Sequence, residues 1–313
     1  MTTGSGVSFV VPVYNKAAYL PDVLATIRAQ RGDFARQYIF VDDGSTDDSL
    51  AILERLTAGW PNTVVVSQEN LGSAHAANRG IALATQPYIK FVDADDLIAH
   101  DATATLVHAL EGRDACLAYG NAMRYKSLAE IDLTALIPAD SAVTVMQRPL
   151  KLALRNSMFN PTQFLVKTEC VRAVGGCDER IVWSQEYSLT LRLANRWNFL
   201  KIEAPVAFLP EEVPGRLSNN GGRQLQRVTM ACAYFLRDHP ELPRALKQFA
   251  CRRAAGRAWK YARRRLGAGY ASPWFWRSLL SRLSLTGDPV AFIERCAMVY
   301  DTTPPVEAAA SQD

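Results

Sequence analysis

The first 110 residues alternate short apolar runs with segments of helical spacing, and this alternation constrains the fold more than any other feature. The runs 7–13, 38–41, 63–67 and 88–92 are rich in β-branched and aromatic residues, which is typical of buried parallel strands. Between the runs, apolar residues recur at i, i+3, i+4 and i+7, as on one face of a helix. Strands that alternate with helices through short links predict an α/β domain with a mainly parallel sheet.

Polar residues follow three of these predicted strands, at 12–16, 42–45 and 93–96. In open parallel sheets, ligands bind beyond the carboxyl ends of the strands. We therefore expect the three segments to share one binding site. Within the second segment, Ser45 or the following Thr46 is suited to cap the next helix.

The third segment packs Asp93, Asp95 and Asp96 into four positions. If the chain stays extended there, Asp93 and Asp95 lie on the same side of the backbone. Three neighbouring anions repel one another unless a cation lies between them, and Mg²⁺ or Mn²⁺ completed by phosphate oxygens is a common solution. The alternative is a solvated acidic turn that caps the next helix, and the segment alone does not decide between the two.

Composition indicates a globular protein of 313 residues, 49% hydrophobic and 21% charged. No run approaches the ~18 apolar residues of a membrane span, and the N-terminus lacks the pattern of a secretory signal. Six cysteines show no zinc-binding spacing, so we expect reduced, buried thiols and a cytoplasmic location.

Charge divides the chain into an acidic front and a basic remainder. Residues 1–130 carry 15 acidic and 10 basic side chains, whereas the remainder carries 16 and 25. The stretch 244–282 has eleven basic residues and none acidic, and aromatic residues interleave with them, among them Trp259, Tyr261, Trp274, Phe275 and Trp276. It fits an anionic membrane surface, or a helical subdomain with its aromatic side chains turned inward. Nucleic acid ranks last, because no nucleic-acid-binding module accompanies the charge.

Beyond residue 120 the pattern is weaker. Residues 126–145 are interpreted as an insertion, 163–166 and 201–209 as strands, and 186–193 as a helix. Residues 210–222 are rich in proline, glycine and asparagine, which predicts a loop or linker.

Three motifs resemble the family 2 inverting glycosyltransferases of GT-A fold. They are Val-Val-Pro-Val-Tyr-Asn at 10–15, Val-Asp-Asp-Gly-Ser-Thr-Asp at 41–47 and Phe-Val-Asp-Ala-Asp-Asp at 91–96. The resemblance is strong over residues 7–120, and continues more loosely to about residue 220 through 174–179. One motif would be weak, but three in register on a β/α alternation are specific.

The resemblance implies a GT-A domain at residues 1–213, with a nucleotide-binding half at 1–96 and an acceptor half at 97–213. A basic, aromatic helical extension at 214–301 and a disordered tail at 302–313 would follow. The implied nucleotide contacts are Pro12, Val13, Tyr14, Asn15, Asp42, Asn78, Asp93, Ala94 and Arg216. Asp93 and Asp95 resemble the family's metal-binding pair, which implies Mn²⁺ or Mg²⁺ bridging the diphosphate of the donor.

The chain also departs from the family pattern. Ala77 stands where the family often has an arginine, immediately before Asn78. Glu186 takes the position of the family's catalytic aspartate, and Gln185 replaces its acidic neighbour. Glu186 is thus the predicted general base, and the alternative is that it only pairs with a neighbour such as Arg192.

The resulting expectation is a metal-dependent enzyme that moves a sugar from a nucleotide-sugar, with uridine as the expected base. The acceptor would be a saccharide or a lipid-linked molecule in cell-surface polysaccharide synthesis, at the inner face of the cytoplasmic membrane. One alternative is a degenerate relative that binds nucleotide-sugars without catalysis. Another is an aspartyl-phosphate phosphatase, although that motif requires a threonine where Leu97 stands.

Overall fold

A computed structural model describes residues 5–181, 185–211, 213 and 221–301. The chain divides after residue 216 into two compact units. The elements of the first unit are β1 Gly6–Val13, α1 Leu20–Arg28, β2 Ala35–Asp42, α2 Ser49–Thr57, β3 Thr63–Ser67, α3 Ser73–Leu83, β4 Tyr88–Phe91, β5 Leu97–Ile98, α4 Ala102–Leu110, β6 Leu117–Tyr125, β7 Val143–Met146, α5 Leu150–Arg155, β8 Phe164–Lys167, α6 Thr168–Ala173, α7 Gln185–Arg196 and β9 Phe199–Pro210.

The strands form a single sheet in the order β3-β2-β1-β4-β8-β6-β9-β5, and β7 pairs with β9. Strands β1 to β4 are mutually parallel, as the alternation predicts. The predicted strands and helices of the first 110 residues are confirmed, because the signal of each is local in the sequence, although β3, at the edge of the sheet, is only partly buried. The carboxyl ends of β1, β2 and β4 therefore lie at one edge of the sheet.

The second half of the sheet is mixed. Strand β8 pairs antiparallel with β4 and β6, whereas β6 and β9 are parallel. Strands β5, β6 and β7 were not predicted from the sequence. Buried and exposed residues do not alternate regularly along β6, and its register with β9 shifts at Asn121. The neighbouring Gly120 allows β9 to approach closely. A Cβ at Gly120 would lie 2.5 Å from Val206 Cγ1, so this position requires glycine. Because glycine has no side chain, the alternation of apolar and polar residues that marks a strand is interrupted there.

The second unit is helical in its described residues. Its helices are α8 Gly221–Asp238, α9 Arg244–Arg265, α10 Pro273–Arg282 and α11 Pro289–Ala297. The hydroxyl of Ser272 accepts a hydrogen bond from Trp274 N, and Pro273 opens α10, which is a regular N-terminal cap. None of the described helices has the length and apolar character that crossing a membrane requires.

Two predictions fall partly or wholly outside the described residues. The 210–222 linker is described only at 210–211, 213 and 221–222, and the predicted tail at 302–313 not at all. The predicted insertion at 126–145 contains a short 3-10 helix at Leu128–Glu130 and the start of β7.

Candidate active site

The loops after β1 and β2 are joined by hydrogen bonds. Asn15 adopts a left-handed backbone with φ of 52°, and its Oδ1 accepts from Thr46 N at 2.8 Å. Asn15 N donates to Ser45 Oγ at 3.0 Å. The expectation that Ser45 or Thr46 caps the next helix is wrong, because α2 begins only at Ser49 and both residues bond to Asn15 instead.

Asp42 ends β2 as a buried carboxylate at this edge. Its Oδ1 accepts from Ser45 N at 3.3 Å, and its Oδ2 accepts from Ser67 Oγ at 2.9 Å. These bonds orient the carboxylate and leave it lone pairs, so it can still accept hydrogen bonds from a ligand.

The neighbouring Asp43 is a residue that the sequence analysis missed. Its Oδ1 accepts from Gln68 Nε2 at 2.8 Å and from Leu71 N at 3.1 Å, and its Oδ2 accepts from Gly72 N at 2.9 Å. It therefore holds the β3–α3 loop in place. The pair of adjacent acids was visible in the sequence, but local spacing could not show which of them binds the loop.

The acidic segment after β4 is a tight turn, in which Asp96 N donates to Asp93 O at 3.0 Å. The condition of an extended backbone is not met, since strand pairing of β4 ends at Phe91. The solvated-turn alternative is also wrong, because Asp95 and Asp96 are buried and only Asp93 is partly exposed.

The hydroxyl group of Thr162 holds this turn through two hydrogen bonds. Asp93 N donates to Thr162 Oγ1 at 3.0 Å, and the same hydroxyl donates to Asp96 Oδ2 at 2.8 Å. The alternative that Asp96 caps the next helix is wrong, since α4 begins after Asp101. The sequence carried no signal for Thr162, because its hydrogen bond to Asp96 joins residues 66 positions apart.

Lys90 lies fully buried beneath the turn. Its Nζ donates to Phe91 O at 3.2 Å and also to Thr162 O. Burial removes the hydration of the ammonium group and lowers the pKa of Lys90 to about 7, while Asp96 and Asp93 partly oppose that shift. Lys90 thus links the backbone that leads into the acidic turn to the segment that carries Thr162.

Lys16 forms an ion pair with the predicted metal ligand Asp95. The distance from Lys16 Nζ to Asp95 Oδ2 is 2.9 Å, and both side chains are largely buried. Sequence analysis assigned no role to Lys16. Its contact shows that this position of the acidic turn attracts a cation.

The carboxylates fit a metal ion that the donor helps to bind. Among the described residues, no three His, Cys, Asp or Glu side chains come together as a metal site. Mg²⁺ and Mn²⁺ commonly take only one or two protein carboxylates and complete their shell with phosphate oxygens and water. Asp93 and Asp95 are the residues that would provide them, and the cation already at Asp95 agrees with that chemistry.

Glu186 lies in the first turn of α7 and is partly buried. Burial raises the pKa of its carboxyl to about 7, and the negative charge of Asp93 adds to the shift. The interaction places Glu186 in the electrostatic field of the acidic turn. Arg192 has other partners, since it donates to Val174 O at 3.1 Å and lies 3.6 Å from Asp178 Oδ2.

Asn78 joins α3 to the loop that leads toward α7. Its Oδ1 accepts from Cys177 N at 2.7 Å, and its Nδ2 donates to Cys177 O at 3.0 Å and to Glu179 Oε1 at 2.8 Å. The side chain therefore positions this loop. Its predicted contact with a nucleotide stays a prediction.

The other predicted nucleotide contacts are placed as follows. Tyr14 is 42% exposed, and Pro12 is partly buried beside it. Val13 and Ala94 have buried side chains, so only their backbones could face a ligand. Arg216 lies outside the described residues.

Comparison with known proteins identifies the family. The sequence profile described as Glycosyl transferase family 2 matches residues 8–168, just over half of the chain. The chain belongs to glycosyltransferase family 2. This membership rules out the aspartyl-phosphate phosphatase alternative.

Two curated relatives match parts of the chain. Glycosyltransferase GlyG of Streptococcus pneumoniae is 37% identical over 120 residues, which cover 38% of this chain and 40% of GlyG. A poly-beta-1,6-N-acetyl-D-glucosamine synthase of Staphylococcus aureus is 26% identical over 227 residues, 72% of this chain and 54% of the synthase. The matched regions thus span about half or less of these relatives' length.

The fold is that of the GT-A glycosyltransferases. The crystal structure of residues 1–349 of S. aureus TarS in complex with UDP-GlcNAc superposes with a TM-score of 0.63. The superposition covers 94% of this chain and 83% of TarS at 15% sequence identity. At that identity the likeness shows the fold, and the predicted GT-A architecture is confirmed.

Proposed function

We propose that this protein is an inverting glycosyltransferase that moves a sugar from a nucleotide-sugar to a saccharide or lipid-linked acceptor. The observation that carries the proposal is the pairing of an acidic turn with a nearby carboxyl, Glu186, whose pKa is raised to about 7. A general base works best when its pKa lies near the pH of the reaction. The relative that synthesises poly-beta-1,6-N-acetyl-D-glucosamine supports a role in cell-surface polysaccharide synthesis.

The donor would bind across the ends of β1, β2 and β4, with a uridine base in the loop at residues 12–15. The exposed ring of Tyr14 is available to stack on the base, and the Asp42 carboxylate can accept its N–H hydrogen bond. TarS in complex with UDP-GlcNAc has the same fold, which supports a UDP-linked donor. Asn78 and Arg216 remain proposed contacts of the donor.

Asp93 and Asp95 would hold Mn²⁺ or Mg²⁺ together with the diphosphate oxygens. When bound, such an ion offsets the negative charge that develops on the departing nucleoside diphosphate. Lys16 brings a further positive charge to the same turn, 2.9 Å from Asp95. Thr162 and the buried Lys90 keep the turn in one conformation before the donor arrives.

Glu186 would accept the proton of the acceptor hydroxyl. The hydroxyl oxygen forms a bond to the anomeric carbon as the bond from that carbon to the diphosphate breaks on the opposite face. The proton ends on Glu186 and the electron pair leaves with the nucleoside diphosphate, so the anomeric configuration is inverted. The acceptor would bind in the half formed by residues 97–213.

We place the protein in the cytoplasm, with a glycosyltransferase domain at residues 1–213 that the helical extension at 214–301 follows in the sequence. All six cysteines, which fall within the described residues, are buried and free, and this fits a reducing compartment.

Two substitutions test the proposal. We expect Asp95→Ala to abolish both sugar transfer and the metal-dependent part of the thermal shift that nucleotide-sugars produce. We expect Glu186→Gln to retain donor binding and lose turnover, whereas Glu111→Gln, a change to an exposed glutamate, leaves both intact. Full activity in either site variant would remove that residue from the mechanism.

A screen with a panel of nucleotide-sugars separates the enzyme from a degenerate binding relative. We expect at least one donor to raise the melting temperature in the presence of Mn²⁺ and to release its nucleoside diphosphate. Binding without release for any donor and acceptor would favour the degenerate relative.

A further inference from the structure

Helix α10 turns its apolar side outward. Trp276, Leu279, Leu280 and Leu283 are 53%, 36%, 39% and 61% exposed. Their spacing of i, i+3, i+4 and i+7 places them on one face, which runs to the residue that caps α10. An amphipathic helix of a globular protein normally buries such a face, so this arrangement requires an explanation.

The opposite side of α10 packs inside the second unit through small polar residues. Ser278 and Ser281 are 5% and 1% exposed, and α10 packs against α9. Ser281 Oγ donates to Ser278 O at 2.7 Å, so its buried hydroxyl is satisfied within the helix. Because the serine side of α10 faces inward, the leucines and Trp276 lie on the outer side of the helix.

The end of α10 extends the apolar face. Ser284 takes a left-handed conformation with φ of 58°, and Leu285 N donates to Leu280 O at 2.9 Å. This terminating turn brings the chain back toward Leu280, and Leu285 is itself well exposed.

Aromatic residues continue the surface at the other end of the helix. The rings of Phe275 and Trp276 lie 5.5 Å apart, and those of Phe275 and Tyr270 lie 5.1 Å apart, measured between centroids. Tyr270 is strongly exposed, and Leu266 is exposed at the C-terminal end of α9. Exposed apolar surface of this extent marks an interaction site.

The sequence that forms this face is predominantly basic, and the nearest acidic residue along the chain is the exposed Asp288, three positions after Leu285. Arg277 and Arg282 lie on the two flanks of the apolar stripe by helical geometry, and the exposed residues 263–265 are all arginine. From residue 244 to residue 287 the sequence has eleven basic residues and none acidic. A partner for this surface must therefore be negatively charged and present an apolar layer.

We propose that the outer face of α10, formed by Trp276, Leu279, Leu280, Leu283 and Leu285, binds the surface of an anionic lipid bilayer. The helix would lie in the plane of the interface, with its leucines among the acyl chains and its arginines at the phosphate level. Tryptophan is favoured at that depth. The proposal is independent of the reaction, because it concerns lipid binding by the second unit alone.

Charge is the reason to prefer a bilayer over a second copy of this chain. A two-fold contact would bring the same face against itself and set arginine against arginine. No acidic residue between 244 and 287 could neutralise them. An anionic bilayer supplies both the phosphates and the apolar layer.

Co-sedimentation of the full chain with vesicles tests the proposal. We expect binding to phosphatidylcholine vesicles that contain phosphatidylglycerol, and much weaker binding to phosphatidylcholine alone. The double substitution Leu279→Ser and Leu283→Ser should reduce binding about tenfold or more, because it removes two apolar side chains from the acyl layer. Arg277→Gln with Arg282→Gln should reduce only the part that depends on anionic lipid.

A matched control uses leucines that are exposed elsewhere. Leu128→Ser with Leu136→Ser, both in the first unit, should leave vesicle binding unchanged. Far-UV circular dichroism and thermal unfolding check that each variant is folded. Tryptophan fluorescence gives a second readout. Lipid brominated on its acyl chains should quench the fluorescence of the native chain. The conservative substitution Trp276→Phe should remove most of that quenching.

Three results would overturn the proposal. One is a native chain that does not sediment with anionic vesicles. Another is equal binding by the α10 leucine variant and its control. The third is a native dimer in light scattering that the leucine variant dissociates while neither protein binds vesicles, since the face would then serve a second copy.

Discussion

Glu186 and Lys90 show how burial changes the chemistry of single residues at this site. Burial raises the pKa of the Glu186 carboxyl to about 7 and lowers that of the Lys90 ammonium to about 7, because the charged form of each loses its hydration. The consequence differs between them. Glu186 becomes a stronger base, whereas Lys90 becomes a donor to backbone carbonyls rather than a permanent counter-ion.

The raised pKa of Glu186 predicts the pH dependence of transfer. The base must be ionised, and its pKa is above the ordinary value, so kcat/KM should fall as the pH drops through about 7. The measurement is the pH profile of kcat/KM, with donor binding followed over the same range as a control. A limb at the ordinary glutamate value of 4.5 would contradict the assignment. A metal ion bound at Asp93 would neutralise the charge that helps to raise the pKa of Glu186. The fall in kcat/KM would then occur at a lower pH in the metal-loaded enzyme.

Lys16 predicts how the acidic turn responds to metal alone. Because its ammonium occupies Asp95 at 2.9 Å and the pair is largely buried, Lys16→Met should tighten the binding of Mn²⁺ by about fivefold, the upper end of the range for exposed ion pairs. Transfer should nevertheless slow, since a cation near the diphosphate is lost. Electron paramagnetic resonance of added Mn²⁺ measures the first effect without any substrate.

The exposed Lys126 supplies the control, and Lys126→Met should change neither quantity. Unchanged Mn²⁺ affinity in Lys16→Met would show that Lys16 and the metal do not share Asp95.

At the level of elements, side-chain to backbone hydrogen bonds fix the loops that end the strands. Asn15 ties the β1 loop to the β2 loop, Asp43 holds the β3–α3 loop, and Thr162 holds the acidic turn. Asn78 does the same between α3 and the 176–179 loop. Within the described residues, the loops at the strand ends are therefore held by these hydrogen bonds, which favours a preorganised donor site.

Two adjacent glycines test the contact between α3 and this loop. Gly175 and Gly176 both have positive φ, +75° and +71°, so either alanine substitution strains the backbone equally. A Cβ at Gly176 would lie 2.4 Å from Asn78 Oδ1, whereas one at Gly175 meets nothing within 4 Å. Gly176→Ala should therefore cost about 1–3 kcal/mol more than Gly175→Ala in urea unfolding, because it disrupts the Asn78 bonds. Equal costs would show that Asn78 can move without loss.

At the scale of the whole molecule, the two units carry different charges and different kinds of surface. Residues 1–216 carry 20 basic and 24 acidic side chains, a net charge of −4, whereas residues 217–313 carry 15 and 7, a net charge of +8. The mixed sheet with its acidic turn belongs to the first unit, and the basic helices with the exposed apolar face belong to the second. An anionic surface would attract the second unit and repel the acidic part of the first, so charge alone favours contact through α10.

The sequence by itself determined the β/α alternation, the three strand-end motifs and the family, because these depend on local periodicity and on short spacings. Strand β3 has the predicted limits, and β1, β2 and β4 differ from theirs by only a few residues. It did not determine the antiparallel half, since Gly120 and the register shift in β6 remove the alternation that marks a strand.

Tertiary structure alone decided which groups meet at the site and which surface remains exposed. Lys16 reaches Asp95 across 79 positions of sequence, and Thr162 reaches Asp96 across 66. The aromatic and basic residues of α10 were visible in the sequence, but whether its leucines or its serines face inward was not. That choice depends on packing with the rest of the second unit, where Ser278 and Ser281 are buried and the ring of Phe275 lies 5.4 Å from that of Trp259 in α9. Periodicity identifies an apolar face, and only packing shows whether the protein buries it.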